Sequence, residues 1–578
     1  KIIDITNKIE LINSANFGKK DEPIEVRIAN GEIGRVLSIE DAHLIVQFRC
    51  PERIVRIVKH RKKAENAGSE KGQEGATRDY DLGFAVTVHK CISPNTIVET
   101  DQGLLPIHEI SPNGIIASNI PSGYINKISY DNAICKRIVT EDGHSIIVSE
   151  DHGCEYWTGS EWELKPAENI ACGEWVRQRI GVTVEPNCIA TLPCIDHYDT
   201  RTEIHKLPFF VTPEVAEFFG LMVADGTIFK RGIRLVKAQK ETVDRFVDLA
   251  VELFEIDRPE IFHTEGVDGG WWTAEILSAC ISEWLRKVGG MNPHAKFVPI
   301  AILKSPSSMH SHFLRGLFED GSVHVKVDEN GELLDHIQWI TCYGGLSETV
   351  RVMLLRLGIV SSVNSQKKRR HSLYIYSGNA KRFSEKIGLI GTEKKRRLSL
   401  SSYTSGESQR HRVPVCVQAF KENKNKIIEL IGRSNYGNVI NRGYVSRKIA
   451  EKCMEILGEN NNFKNWHYSR IKKIENIKSP VMCVEVPEHG RFLQNGFLWS
   501  NCQGSEWPVV IVALDDSYGA GMVAGREWFY TAISRASKAC ICIGKPQTAV
   551  GMCLRAHLPR RKTFLREWII QDMHGEIL

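Results

Sequence analysis

The feature that most constrains this chain of 578 residues is an interruption near its two ends. LGFAVTVHK, at 82–90, has the composition of a β-strand, and CQGSEWPVVIVAL, at 502–514, is typical of a loop followed by another strand. Joined directly, the two segments give strand, loop and strand without a break. Roughly 410 residues, 91–501, separate them. The outer segments are therefore expected to form one domain, with an insert between them.

Length and composition indicate several globular domains. The chain is too long for one hydrophobic core, and 42% hydrophobic with 25% charged residues is ordinary. The net charge of +5 does not by itself indicate nucleic-acid binding. No CxxC pair, signal segment or membrane-length apolar run occurs, so we expect a reduced, cytoplasmic protein without membrane contact. Because the chain starts at Lys1 rather than Met, a fragment of a longer product is expected.

The outer segments resemble part of a DNA motor. GFAVTVHK, CQGSEWP and FYTAISRAS resemble the last RecA-like domain of superfamily 1 DNA helicases, most like the RecD-like branch. NGEIGRVLSIED resembles the small β-barrel inserted in the same helicases. The resemblance implies that Gly504 and Glu506 approach the ribose and phosphates of ATP, and that Arg535 acts as the arginine finger.

The ATP site of such a motor would be incomplete in this chain. No phosphate loop of the form G-x-x-x-x-G-K-[ST] occurs in the sequence. ATP with magnesium would therefore bind only to the complete host helicase, together with an upstream core that carries the loop. DNA is the expected partner of that host, and neither ATPase nor unwinding activity is expected from this chain alone.

The insert begins with Cys91, ends with Asn501 and is followed by Cys502. Three segments occur in the order CISPNTIVETDQGLLPIHEI, EDGHSIIVSEDHGCEYW and VMCVEVPEHGRFLQNGFLWSNC. Together with the boundary residues, they resemble the splicing motifs of an intein. The resemblance implies an all-β Hint domain of horseshoe shape, built from 91–184 and 466–501.

The resemblance to inteins also assigns a chemical role to each boundary residue. Cys91 would attack the preceding carbonyl and form a thioester, while His152 protonates the departing amide nitrogen and Ser149 hydrogen-bonds the scissile region. Cys502 would then accept the upstream segment by transthioesterification. Finally the Asn501 side chain would attack its own carbonyl and close a five-membered ring, a step that needs no second molecule. Splicing would need no cofactor.

The last steps depart from the usual intein pattern. The residue before the terminal Asn is usually His, but here it is Ser500, and the usual acid position holds Cys483. The slot of another usual histidine holds Gly490, with His489 one place earlier. Cyclisation of Asn501 is therefore expected to be the slow step, with His489 as a candidate substitute.

Two further segments, VAEFFGLMVADGTI and HFLRGLFEDGSV, resemble the paired LAGLIDADG motifs of homing endonucleases. Each is an apolar helix that ends on Asp-Gly. The resemblance implies that the helices pack through Gly220 and Gly316 and that Asp225 and Asp320 bind magnesium. The ion would activate water and stabilise the leaving oxygen of a phosphodiester. Lys296, in KFVP, would polarise the same phosphate.

The endonuclease is expected at 207–400, as a pseudo-twofold α/β domain with two saddle-shaped sheets. Its target would be double-stranded DNA of the insert-free host gene. Two basic clusters are predicted to contact DNA phosphates, although charge runs of this kind are otherwise solvated surface. They are Lys367, Lys368, Arg369 and Arg370, and Lys394, Lys395, Arg396 and Arg397. Residues 401–465 form a connector of uncertain structure with one helix, VSRKIAEKCMEILGE.

The sequence therefore predicts a multidomain chain. An all-β Hint domain with an inserted α/β LAGLIDADG endonuclease is flanked, at 1–90 and 502–578, by the split halves of a RecA-like α/β helicase domain. The first flank also carries the small β-barrel. The alternative is an insert that neither splices nor cleaves DNA and acts only as a DNA-binding or structural domain of a helicase.

Overall fold

The computed structural model divides into two compact units, 1–88 and 89–578. It describes separate strands within 1–82, and it describes 91–501 with gaps at 112, 119, 187, 196–204, 267–268, 330, 367–369, 402–411, 455–462 and 487–489. Within 507–554 it leaves gaps at 515–528, 530–531 and 534–535.

The first unit is an antiparallel sheet in the order β3-β2-β6-β5-β4-β1-β7. Its strands are β1 (Ile2–Asp4), β2 (Glu10–Ile12), β3 (Ile24–Glu25), β4 (Ile33–Ile39), β5 (His43–Arg49), β6 (Glu52–Val58) and β7 (Tyr80–Leu82). The predicted small β-barrel is wrong for the strands that the structure describes, because a barrel closes only when its edge strands pair. The edges here are β3 and β7, of two and three residues, and they pair only inward. The predicted strand segment at 83–90 lies outside the described residues.

The insert opens with a series of strands, all of them short except β11. They are β8 (Ile97–Thr100), β9 (Gly103–Pro106), β10 (Gly114–Ile116), β11 (Ser122–Thr140), β12 (Ser145–Ser149), β13 (Gly153–Trp157), β14 (Trp162–Pro166) and β15 (Trp175–Arg179). The middle of the insert then alternates helices and strands in two similar halves.

The first half contains α1 (Pro213–Asp225), β16 (Thr227–Phe229), β17 (Gly232–Lys237), α2 (Lys240–Phe254), β18 (Ile261–Thr264), β19 (Trp271–Ile276), α3 (Ala279–Val288), β20 (Met291–Asn292), β21 (Ala295–Lys296) and α4 (Ile300–Leu303). The second contains α5 (Ser307–Leu317), β22 (Ser322–Asp328), β23 (Gly331–Thr341), α6 (Gly344–Arg356), β24 (Ser362–Gln366), β25 (Arg370–Tyr376), α7 (Ser377–Lys386) and α8 (Thr392–Leu398). Each half has a four-stranded antiparallel sheet, in the orders β16-β17-β19-β18 and β22-β23-β25-β24.

The connector forms a small, mostly helical subdomain that packs against strands from the two ends of the insert. Its elements are β26 (Arg412–Pro414), α9 (Val417–Glu422), α10 (Lys424–Ile431), α11 (Arg433–Arg442), β27 (Tyr444–Ser446) and α12 (Arg447–Lys452). Its apolar side chains, including Phe420 and Ile427, share one core with Trp175, Trp466 and Tyr468. The helix predicted from VSRKIAEKCMEILGE begins later and is described over fewer residues, because its first residues pair as β27 with β26.

The two ends of the insert build one sheet. The last strands are β28 (Trp466–Glu485), β29 (Arg491–Gln494) and β30 (Phe497–Ser500), and the sheet order is β10-β11-β28-β15-β30-β29-β8-β9. The long strands β11 and β28 pair along most of their length, and β12 pairs with β11 near its C-terminal end. Residues that begin and end the insert therefore lie in one β structure.

The second flank contributes β31 (Trp507–Ala513), β32 (Ala536–Ile543) and α13 (Pro546–Leu554). β31 and β32 pair in parallel. The predicted helix REWFYTAISRASK ends earlier than expected, because Ala536 already pairs with Trp507 and sheet register overrides local helix preference. Among the helices that the structure describes, none is both long and apolar enough to span a bilayer.

Helix α6, in the middle of the insert, contributes two buried arginines that bind the strands and loops at the start of the insert. The Arg351 guanidinium bonds to the carbonyl oxygens of Gly143 and Asp142, at 2.6 and 3.1 Å. Arg356 bonds to the Val184 carbonyl at 2.6 Å and lies 3.6 Å from the buried Glu99 carboxylate. The turn before β12 is therefore fixed by a helix from the other part of the insert.

Buried histidines make the folded insert sensitive to acid. Burial lowers the pKa of His310, in α5, to about 3, and burial beside Arg351 lowers the pKa of His144 well below its ordinary value. Both rings are therefore neutral in the folded chain at neutral pH. An unfolded histidine has a pKa near 6.5, so below that pH the unfolded state binds protons that the folded state does not.

Stability is consequently expected to be full above about pH 6.5 and to fall in acid, by up to about 1.4 kcal/mol per pH unit for each histidine. His310→Gln keeps a donor for the Ile302 carbonyl but cannot titrate, so it should lose less thermal stability than the parent between about pH 7 and about pH 5. His294→Gln, at an exposed position, is the control and should behave as the parent does. Equal acid sensitivity of His310→Gln and the parent would contradict the prediction.

Candidate functional sites

Cys91 is fully buried between β12 and β28. Its backbone N–H donates to Ser149 Oγ at 2.9 Å, and the Ser149 N–H donates to the Cys91 carbonyl oxygen at 2.9 Å. The next residue, Ile92, pairs with both Val148 and Met482. The peptide nitrogen at the first boundary of the insert is therefore held by a hydroxyl group.

His152 lies one turn beyond Ser149 and is fully buried. Its backbone N–H donates to the Ser149 carbonyl oxygen at 3.0 Å, which fixes the turn between β12 and β13. Its ring centroid lies 6.1 Å from that of Trp499, in β30. The turn that holds the Cys91 amide is therefore in contact with the strand that leads to the second boundary.

A small buried cluster of thiols surrounds the first boundary. Cys91, Cys135 and Cys483 pack together with Val481, and each cysteine is fully buried. Burial raises the pKa of the Cys135 thiol to about 11. Because this environment disfavours a thiolate, a nucleophile here would need a base to remove its proton.

Asn501 is also buried, at the end of β30. Its backbone N–H donates to the Gly490 carbonyl oxygen at 2.9 Å, and its side-chain Nδ2 donates to the Val486 carbonyl oxygen at 3.1 Å. The side-chain amide is thus held in one orientation. His489 and Cys502 lie outside the described residues, as do Gly504, Glu506 and Arg535 of the predicted ATP site.

Helices α1 and α5 approach each other backbone to backbone. A Cβ atom at Gly220 would lie 2.1 Å from the Phe313 carbonyl oxygen, and one at Gly316 would lie 2.3 Å from the Glu217 carbonyl oxygen. Both distances exclude a side chain, so each helix requires glycine at its crossing. The crossing brings together Asp225, the last residue of α1, and Asp320, in the short turn Phe318–Asp320 that follows α5.

The two aspartates share a lysine that the sequence analysis missed. Lys237 Nζ forms an ion pair with Asp225 and lies 3.4 Å from Asp320 Oδ1. The lysine side chain is 6% exposed, at the end of β17, where Ile233 and Leu235 alternate on the same buried face. A lysine in phase with buried apolar residues is a signal that could have identified it from sequence.

The two carboxyl groups of this site have pKa values shifted in opposite directions. Burial, followed by the neighbouring Asp225 charge, raises the pKa of Asp320 to about 6. Burial alone would raise the pKa of Asp225, but Lys237 outweighs it and holds that pKa below the ordinary value. Two neighbouring carboxyl groups with pKa values shifted apart are typical of functional sites, and structural ion pairs also produce such shifts.

The donor set around the two aspartates fits a hard divalent cation. Facing carboxylate oxygens are the ligands that magnesium prefers, and the Lys237 ammonium shows that positive charge is stabilised between them. Lys296 Nζ donates to the Ala224 carbonyl oxygen at 2.5 Å, at the end of α1, and burial lowers its pKa. Within the described ranges, no cluster of three or more His, Cys, Asp or Glu side chains suited to a metal occurs.

The structure describes only part of the first predicted DNA-contacting cluster and all of the second. Arg370 is exposed at the start of β25, whereas Lys367, Lys368 and Arg369 lie outside the described residues. On α8, Lys395 is exposed. The other three basic side chains of α8 bind acids of the chain, Lys394 to Glu319, Arg396 to Glu332 and Glu393, and Arg397 to Glu393. Helix α8 therefore carries less uncompensated positive charge than its sequence indicates.

Comparisons with known proteins agree with two parts of this description. Residues 308–388 match the LAGLIDADG-like domain family, and residues 500–543 match the UvrD-like helicase C-terminal domain family. No curated protein sequence matches the chain. The match to a helicase C-terminal domain does not specify the RecD-like branch that the sequence predicted.

Three solved structures are similar to parts of this chain. A mesophilic variant of the homing endonuclease I-DmoI is 16% identical over 31% of this chain and 96% of its own, with a TM-score of 0.24. Full-length DUF199/WhiA from Thermatoga maritima is 16% identical over 42% of this chain and 90% of its own, with a TM-score of 0.24. The gp41-1 intein is 23% identical over 15% of this chain and 68% of its own, with a TM-score of 0.14.

Proposed function

We propose that the chain is a precursor in which residues 91–501 are an intein that excises itself and joins its two flanks. The observation that carries this proposal is the arrangement at the first boundary. The Cys91 amide is held by Ser149, and the adjacent His152 ring contacts Trp499, two residues before Asn501. An ordinary structural insert has no need for a hydroxyl group at its first peptide, or for an imidazole from the same turn against the strand that leads to its last residue.

The splicing sequence follows from these contacts. The Cys91 thiol adds to the carbonyl carbon of residue 90 and its proton passes to His152. The bond from that carbon to the Cys91 nitrogen breaks, and His152 returns the proton to the nitrogen that Ser149 holds. Cys502 attacks the resulting thioester and accepts the upstream flank. Asn501 then cyclises, and the new thioester between the flanks rearranges to a peptide bond. Each step uses groups of the chain itself, so no metal or cofactor is required.

The middle of the insert is proposed to be a DNA endonuclease that cuts double-stranded DNA of the insert-free host gene. The glycine-mediated helix crossing, the facing aspartates and the LAGLIDADG-like match support this assignment. Asp225 and Asp320 would hold magnesium, which supplies activated water and stabilises the leaving oxygen. Lys237 and Lys296 place positive charge beside the same carboxylates.

The flanks are proposed to belong to an ATP-dependent DNA helicase of the RecD-like branch. The UvrD-like helicase C-terminal match and the parallel pair β31–β32 support the coarse assignment. The complete motor would need the upstream core with a phosphate loop, ATP and magnesium.

Incubation of the purified chain under reducing conditions tests the splicing proposal directly. From 65.3 kDa for 578 residues, the joined flanks 1–90 and 502–578 come to about 19 kDa and the insert to about 46 kDa. Denaturing gels and intact mass should show both products growing as the precursor declines. A full-length band that persists unchanged would favour the alternative, an inert insert in a helicase.

A further inference from the structure

Ser500 makes a contact that links the two boundaries of the insert. It ends β30, is 4% exposed, and its Oγ accepts the backbone N–H of Gly153 at 2.8 Å. Gly153 follows His152 directly. A Cβ atom at Gly153 would lie 2.7 Å from Ser500 Oγ and 3.0 Å from Ser500 Cβ, so the contact requires glycine at 153.

Gln494 holds the same residue from the other side. It is fully buried in β29, and its Nε2 donates to the Ser500 carbonyl oxygen at 2.9 Å and to the Trp499 carbonyl oxygen at 3.4 Å. The next peptide is held in turn by the bonds that Asn501 makes to Gly490 and Val486. Side chain, carbonyl and following amide are therefore all fixed just before the residue that must cyclise.

We propose that Ser500 and Gln494 are positioning residues for the cyclisation of Asn501, and that Ser500 acts through its bond to Gly153 rather than as an acid or base. This inference rests on the proposed splicing function. In the step concerned, a bond forms between Asn501 Nδ2 and its own main-chain carbon, and the bond from that carbon to the Cys502 nitrogen breaks. Nδ2 loses one proton and the departing nitrogen gains one, so no other reactant is needed. Fixing the peptide before Asn501 favours the geometry in which Nδ2 faces the carbonyl carbon.

The same packing explains why the usual histidine would not serve here. The Gly153 nitrogen lies 2.8 Å from Ser500 Oγ, so a larger imidazole at 500 would have to displace β13 or turn away from this position. Ser500→His is therefore expected to slow cyclisation. If position 500 instead had to supply a general acid that serine lacks, Ser500→His would be expected to speed cyclisation.

Two separate reactions of the full chain test the proposal. Cleavage at the second boundary, measured in a Cys91→Ala background, reports Asn501 cyclisation without the thioester steps. Cleavage at the first boundary by dithiothreitol, measured in an Asn501→Ala background, reports thioester formation. Ser500→Ala, Ser500→His and Gln494→Leu are compared in both backgrounds. Ser118→Ala is the matched control, because Ser118 is equally buried and bonds to the Arg491 carbonyl of the same β29 strand but not to residue 500.

Ser500→Ala and Gln494→Leu should each slow second-boundary cleavage by about tenfold, the rate equivalent of one lost hydrogen bond, and change thiolysis less than about twofold. Ser118→Ala should leave both rates near those of the parent backgrounds. Faster cleavage in Ser500→His, equal slowing of both reactions, or a Ser500→Ala rate equal to that of Ser118→Ala would each overturn the positioning role alone. If neither parent background cleaves, the splicing function fails and the inference fails with it.

Discussion

Replacing Asp320 with Asn should reduce magnesium-dependent cleavage of DNA that spans the joined host sequence on the order of a thousandfold. The amide has the size of the carboxylate but cannot supply the negative charge that a divalent ion requires. Asp225→Asn should have the same effect, because the helix crossing at Gly220 and Gly316 makes the two carboxylates one site. The measurement is the cleavage rate of a plasmid carrying that sequence, with gel-shift affinity measured separately in a chelator.

DNA binding should survive in both variants, since removing a negative charge beside a phosphate does not weaken phosphate contacts. Asp328→Asn is the matched control, an exposed aspartate in β22 of the same half, and should cleave as the parent does. A chelator should abolish cleavage by the parent, and added magnesium should restore it. An Asp320→Asn chain that still cuts at the parental rate would exclude this pair as the catalytic centre.

The sequence marks Cys91, Ser149, His152 and Asn501 by local patterns, and their roles in splicing stay predictions. In the structure, Ser149 is hydrogen-bonded to the backbone of both Cys91 and His152. The close helix crossing at Gly220, which the resemblance to LAGLIDADG motifs implied, is present in the structure.

The residues that sequence reasoning missed depend on long-range register. Lys237 is the last residue of β17 and its side chain lies on the buried face of that strand. It contacts both aspartates only because the fold places this strand end beside them. Gly153 reaches Ser500 from a strand hundreds of residues away, whereas Gln494 reaches it from the neighbouring strand of the same hairpin, and neither has a distinctive neighbourhood in sequence. The open sheet in place of a barrel has a similar cause, because alternation predicts strands but not whether the edge strands meet.

Helix α8 shows the opposite error, in which a local pattern indicated too much. EKKRR reads as a cationic surface, but Glu393 and Glu332 bind Arg396, and Glu319 binds Lys394. An acid three or four residues away, such as Glu393, can be seen in the sequence, whereas Glu319, in the short turn after α5, and Glu332, in β23, cannot be predicted from it. Charge counts therefore give an upper limit on the positive potential available to DNA.

Replacing Cys91 with Ala should remove the ligated product of about 19 kDa below detection, the largest effect expected at the first boundary. Without the thiol no thioester forms, so Cys502 has no electrophile to attack. Cleavage at the second boundary should continue, since Asn501 uses only its own side chain and carbonyl. Intact mass spectrometry distinguishes these products.

Cys135→Ala is the control that separates a reacting thiol from a buried one. Cys135 occupies the same thiol cluster as Cys91 and is equally inaccessible, but it lies in mid-strand, where β11 pairs with β12 opposite Ser149. Its loss leaves a small cavity and no change at the scissile peptide, so ligation should persist. Asn501→Ala should instead retain the insert and accumulate thioester species that dithiothreitol cleaves. A ligated product from Cys91→Ala, or loss of ligation in Cys135→Ala as complete as in Cys91→Ala, would mean that the cluster acts only as packing and that the joining chemistry begins elsewhere.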